Sequence, residues 1–153
     1  MRTTLVLLLP LSALALAKTA PPSSSVVRIE VAAVAPAYLR PWEKSPQMKM
    51  TGSGFIIDGR RILTNHHVIE DAVDIRLQKH GSSRRWPARV ITAGPDVDLA
   101  LLEVITDAED FFSGTSAVVW SDDVPALQER VSVRGYPAGG SSLCTRAGFP
   151  TQD

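Results

Sequence analysis

The sequence predicts an all-β fold, a small antiparallel β-barrel, and three observations carry that prediction. Two apolar stretches, residues 52–57 and 61–64, meet at Asp58-Gly59, a pair that turns a chain tightly because glycine takes positive φ without steric cost. Residues 73–79, Val-Asp-Ile-Arg-Leu-Gln-Lys, alternate apolar and polar, the pattern of a strand with one buried face. Residues 99–104 are almost continuously apolar, as in a strand covered on both faces or closed into a barrel.

Taken in order, the chain opens with what reads as a secretory signal over residues 1–17. Arg2 supplies the positive start, Leu5 to Leu16 the apolar core, and Ala15-Leu16-Ala17 an A-x-A cleavage site before Lys18. The apolar run is short for a bilayer core of about 30 Å, so cleavage and export are expected rather than a membrane anchor. Residues 18–25, rich in Pro and Ser, read as a flexible tether. Val26 to Val31 is a first strand. Pro36, Pro41 and Pro46 make the next stretch a loop, in which Tyr38 and Trp42 are expected to cover apolar surface rather than to bind peptide.

The hairpin at 52–64 follows. Val68 to Ala72 then forms one helical turn, with Thr64 or Asn65 available near its start. The alternating strand at 73–79 ends in the turn His80-Gly81-Ser82-Ser83. Trp86 to Thr92 is another strand, closed by Gly94-Pro95, and the apolar strand at 99–104 comes next. Thr106 to Ser116 is an acidic, aromatic connector. Ala117 to Trp120 is a short apolar piece, and alternation returns at Val131-Ser132-Val133. Residues 144–153 show none. The strands, about six and short with turn signals between them, suit a small barrel.

Composition narrows the function. The 153 residues carry 16 basic and 16 acidic side chains, so no net field favours nucleic acid or an anionic membrane. Cys144 is the only cysteine, which rules out an intramolecular disulfide. Nothing places its thiol near a base. His66, His67 and His80 are the three histidines. Neighbouring side chains on an extended segment point to opposite faces, and no His-x-x-x-His or Cys-x-x-Cys spacing occurs, so neither a metal site nor a cofactor is expected.

Two residue types remain that can do acid–base chemistry. A general base needs a neutral imidazole titrating near working pH, and His66 or His67, at the end of a strand, can serve. A carboxylate at the start of an apolar strand is costly unless paired, and Asp98 stands there. Asp96, beside Gly94-Pro95, reads better as a turn acid. A histidine followed later in the chain by such an aspartate is two-thirds of a His-Asp-Ser triad in one of its known chain orders. Ser141 and Ser142 follow Gly139-Gly140 but read as polar turn residues, and neither is expected to be a nucleophile.

The residues from about Val26 to Gly140 resemble the N-terminal part of a Deg/HtrA-type trypsin-like serine protease. The similarity lies in Gly-Ser-Gly-Phe-Ile-Ile at 52–57, Ile-Leu-Thr-Asn-His-His-Val-Ile at 62–69, Asp-Leu-Ala-Leu-Leu at 98–102 and Gly-Tyr-Pro at 135–137. Pro41-Trp42 is similar to a branch of that family also found in plants. The resemblance implies a trypsin-like antiparallel β-barrel, with residues 26–120 as a complete first barrel and 121–153 as a second one only begun. It selects His67 as base and Asp98 as the carboxylate that orients it. Val68 follows the base where many animal trypsin-like enzymes have a cysteine, which is similar to the bacterial-type relatives.

The implied activity is serine-type endopeptidase action on polypeptides, unfolded or misfolded ones in particular, with no cofactor or metal. Relatives of this type often form trimers or larger assemblies, so a homo-oligomer of the complete protein is compatible with it. The family's Gly-Asn-Ser-Gly-Gly nucleophile segment does not occur in these 153 residues, and after Gly140 the wording departs from the family. A fragment, or a shifted reading frame near residues 141–144, is therefore expected, and with it a chain inactive on its own. The alternative is a non-catalytic β-barrel module that binds a peptide or a partner.

Overall fold

The computed structural model describes residues 21–40, 42–43, 45–137 and 140–149. The expected signal at 1–17, the first residues of the expected tether and Pro41 lie outside them. Six strands, β1 (Val26–Ala33), β2 (Met48–Ile57), β3 (Arg61–Thr64), β4 (Ala72–Lys79), β5 (Trp86–Gly94) and β6 (Leu99–Val104), close into a barrel in the order β1-β2-β3-β6-β5-β4. All neighbours run antiparallel. Two short helices, α1 (His66–Ile69) and α2 (Ala108–Phe112), interrupt the order. Strands β7 (Val131–Gly135) and β8 (Cys144–Gly148) form a separate two-stranded sheet.

Period-two patterning builds the barrel. On β1, Val27, Ile29, Val31 and Ala33 are buried and the residues between them are not. Ile56, Ile62, Ile75, Leu77, Ala88, Ala100 and Leu102 complete the interior. The glycines of β2 make room where side chains cannot fit. A Cβ at Gly54 would lie 2.9 Å from both Ile29 Cδ1 and Ile62 Cγ2. The β2–β3 turn places Gly59 at φ 75° and Arg60 at φ 59°, so the left-handed backbone extends one residue past the Asp-Gly pair.

Helix α2 joins the barrel core through one buried side chain. Its Phe111 is fully buried and meets Trp86 edge-to-face, with ring centroids 5.3 Å apart. The connector that follows returns to β2, where the Val118 N–H donates to Ile56 O at 2.8 Å. Trp120 lies edge-on to Phe55 at 6.0 Å.

Several sequence expectations need correction. Residues Pro22–Ser25 form a 3₁₀ turn instead of a loose tether, and Ser116 Oγ holds Ser24 Oγ at 2.9 Å and Ser25 Oγ at 3.0 Å. Tyr38 and Trp42 do not cover apolar surface; they are 85% and 79% exposed. The helical turn after β3 begins at His66, two residues before the expected start. Consecutive helical residues sit about 100° apart around the axis, so His66 and His67 are not on opposite faces. Cys144–Gly148, which shows no alternation, is nonetheless strand β8 and pairs with β7 from Val131↔Gly148 to Gly135↔Cys144.

Candidate active site

Antiparallel pairing of β3 with β6 brings the strand-end histidines to the aspartate. Thr64 lies opposite Ala100, and the same direction of travel carries the residues after Thr64 towards those before Leu99. Thr64 is buried, and its Oγ1 donates to Ser53 O at 2.8 Å, which fixes the end of β3 against β2. Chain direction then changes into α1. Its Val68 packs so closely on Gly52 that a Cβ there would lie 2.5 Å from Val68 Cγ1.

Asp98 reaches the same place from the other side. Pro95–Val97 is a 3₁₀ turn, and the Asp98 N–H donates to Pro95 O at 3.1 Å. Asp98 itself takes the left-handed conformation, φ 49° and ψ 44°, which aspartate adopts more readily than most residues because its short polar side chain can bond locally. From there its carboxylate receives three N–H groups. The His67 backbone N–H donates to Oδ1 at 2.9 Å, and Oδ2 is 2.7 Å from His67 Nδ1 and 3.1 Å from Asn65 Nδ2.

These contacts have an electrostatic result. The His67 backbone N–H is the largest influence holding the Asp98 carboxyl below its ordinary range, and the imidazole and the Asn65 amide act in the same direction. The side chains of His67 and Asp98 are 65% and 46% exposed, so water and salt screen their attraction. Directed hydrogen bonds, not bare charge, order the pair. An ionised carboxylate only accepts, so the ring nitrogen facing it carries the proton as Nδ1–H. Nε2 is left as the acceptor of the neutral ring, the form that can take a proton from a hydroxyl.

The other candidates lie elsewhere. His66 is half-buried on α1, and His80 is exposed in the turn after β4. Asp96 is in the 3₁₀ turn. Ser141 and Ser142 are exposed loop residues between β7 and β8, and Cys144 is an exposed free thiol. Among the described residues no three or more His, Cys, Asp or Glu side chains are grouped to hold a metal. In the sequence Asn65 stands out only as one of two residues, with Thr64, that could start the helical turn. Its position, between a strand end and the histidine pair, is the signal that could have found it.

Residues 52–152 match the family described as the trypsin-like peptidase domain, a match that continues past Gly140. Among curated proteins, the chain is 39% identical over 126 residues to "Protease Do-like 4, mitochondrial" of Arabidopsis thaliana, covering 82% of this chain and 24% of that protein. It is 37% identical over 124 residues to "Serine protease DegP homolog" of Plasmodium falciparum, covering 81% of this chain and 14% of that one. The chain thus spans about a quarter or less of the length of these relatives. Among solved structures, the Rv3671c protease of M. tuberculosis in its active form superposes with a TM-score of 0.64 at 26% identity, over 82% of this chain and 47% of that chain.

Proposed function

Because the chain belongs to the trypsin-like peptidase family, in its Deg/HtrA branch, we propose that it carries the acid–base half of a serine endopeptidase centre. His67 is the general base that takes the proton of an attacking serine and later returns it to the leaving amine. Asp98 holds the imidazole in the Nδ1–H tautomer and stabilises the imidazolium when it forms. The observation that supports this most directly is the double contact of one carboxylate with one residue: Asp98 Oδ2 with His67 Nδ1 at 2.7 Å and Oδ1 with the His67 N–H at 2.9 Å. One bond sets the ring's protonation and the other sets its place.

The nucleophile in this proposal is a serine outside these 153 residues, and neither Ser141 nor Ser142 serves. The substrates are polypeptides, with unfolded or misfolded chains the preferred class. Export after cleavage near Ala17 remains our reading of residues 1–17. The organelle names carried by several relatives make organellar import the competing destination, and the mature N-terminus, read by mass spectrometry, decides whether Lys18 becomes the first residue.

Fluorophosphonate labelling tests the division of labour. The 153-residue chain is expected to stay unlabelled. A longer form that also contains the nucleophile is expected to label, and to lose that labelling in His67→Ala. In such a form Asp98→Asn should lower kcat by about 10⁴, as amide replacement does in the serine-protease triad. A His67-dependent adduct on Ser141 or Ser142 of the short chain would overturn the proposal.

A further inference from the structure

Asn65 stands at the residue that opens α1, where an asparagine side chain ordinarily accepts a backbone N–H from the first turn. It makes no such cap. Its Nδ2 turns instead to Asp98, donating to the carboxylate Oδ2 at 3.1 Å and to the backbone O at 3.2 Å. Two oxygens face the Nδ2 side, which determines the amide's orientation: a carboxamide turned the other way would set oxygen against oxygen. One side chain thus holds both the peptide carbonyl of a residue in the left-handed conformation and the oxygen that faces the imidazole.

Resting on the reading of His67 and Asp98 given above, we infer that Asn65 is a positioning residue for that pair. Oδ1 of Asp98 is anchored by the His67 N–H. A carboxylate anchored at one oxygen still pivots about it. Oδ2 is steadied by two donors, the imidazole and the Asn65 amide, and only the amide is independent of the ring being positioned. Asn65 therefore acts through Asp98: it keeps Oδ2 where the ring must present Nδ1–H, so that Nε2 stays the proton acceptor. The helix start is left without its usual side-chain cap as a consequence.

The test reads the tautomer of His67 directly, by long-range ¹H–¹⁵N NMR of the ¹⁵N-histidine-labelled full chain at about pH 9, well above the ordinary histidine range. In the unaltered chain His67 is expected as Nδ1–H. In Asn65→Ala and in Asn65→Asp the Nδ1–H form is expected to lose its majority to Nε2–H, the form an unpartnered imidazole favours, with the barrel-strand amides unshifted.

Asn65→Asp separates positioning from structure. Aspartate opens helices as well as asparagine does, so a merely structural role survives it, whereas the donor to Oδ2 is gone and a second carboxylate faces the first. It also decides the matter should Asn65→Ala fail to fold. Persistence of Nδ1–H in Asn65→Asp overturns the inference and leaves the proposed function standing. Nε2–H already in the unaltered chain overturns the His67–Asp98 reading itself.

Discussion

At Gly52 a hydrogen stands where any side chain would displace Val68, whose Cγ1 and Cγ2 lie 2.5 and 2.8 Å from the place of a Cβ. Val68 follows His67 on α1, so the space left at residue 52 sets how deeply the imidazole's helix is seated. Gly52→Ala should cost about 1–3 kcal/mol, the usual range for overpacking, and should lengthen the His67–Asp98 bond by pushing α1 outward. Gly59 is the control. A Cβ there meets nothing within 4 Å, but its φ is 75°, so Gly59→Ala should cost about 1 kcal/mol through the backbone alone and leave His67 untouched. Thermal unfolding together with the His67 tautomer separates the two. Equal losses with an unchanged tautomer in both variants would show that Gly52 does not set the helix.

Among the elements, α2 shows what a sequence conceals and what then holds it. Five residues make little more than one turn, too few for a 3.6-residue period to be read, so Asp110, Phe111 and Phe112 look like an acidic, aromatic connector. What makes the helix is tertiary. Phe111 is buried against Trp86, Lys79 Nζ donates to the backbone oxygens of Asp110 and Ser113 at 2.9 and 3.1 Å, and Arg84 pairs with Asp107 and Asp110. Phe111→Ala should therefore cost about 3–5 kcal/mol. Arg84→Ala, which breaks half-exposed pairs, should cost no more than about 1 kcal/mol. Urea unfolding at neutral pH gives both values, and an Arg84→Ala loss as large as that of Phe111→Ala would contradict this ranking.

Strands β1 and β3 were legible because one face of each is buried and the pattern repeats every two residues, and β6 because its residues are almost all apolar. Strand β8 was not, because all five of its residues are exposed and no buried face imposes alternation. The exposed loop at Tyr38 and Trp42 misled for the opposite reason: aromatic residues suggest burial that the fold does not provide. At the site, the histidine pair and Asp98 stood out by type and place. Asn65 did not, since its partner is distant in sequence and an asparagine before a helix already has an ordinary explanation.

Across the whole molecule, carboxylates on the outer wall join segments that are distant in the chain. Glu103 on β6 is held by Arg89 of β5 at 2.5 Å and Arg61 of β3 at 2.7 Å. Glu30 on β1 is held by Arg28 and by Arg85, each at 2.5 Å. Hydrogen bonds from Arg89 and Arg85 are the largest influences keeping the Glu103 and Glu30 carboxyls below the ordinary value of 4.5. Arg60 does the same for Glu109, and the His67 N–H for Asp98. A carboxyl whose pKa is lower folded than unfolded binds fewer protons in the folded state. Its stabilising contribution is complete above the unfolded value and disappears as pH falls through the folded one.

These four groups should therefore leave stability level above about pH 5 and reduce it progressively below about pH 4.5. Water and salt screen such exposed pairs, so raised ionic strength should flatten the acid limb. The Glu30 side chain is 23% exposed against 88% for Glu109, so Glu30→Gln should remove more of the acid limb than Glu109→Gln. The comparison is made on unfolding midpoints measured from pH 7 down to pH 3. An acid limb unchanged by Glu30→Gln would mean that the ties across the wall do not couple the barrel to pH.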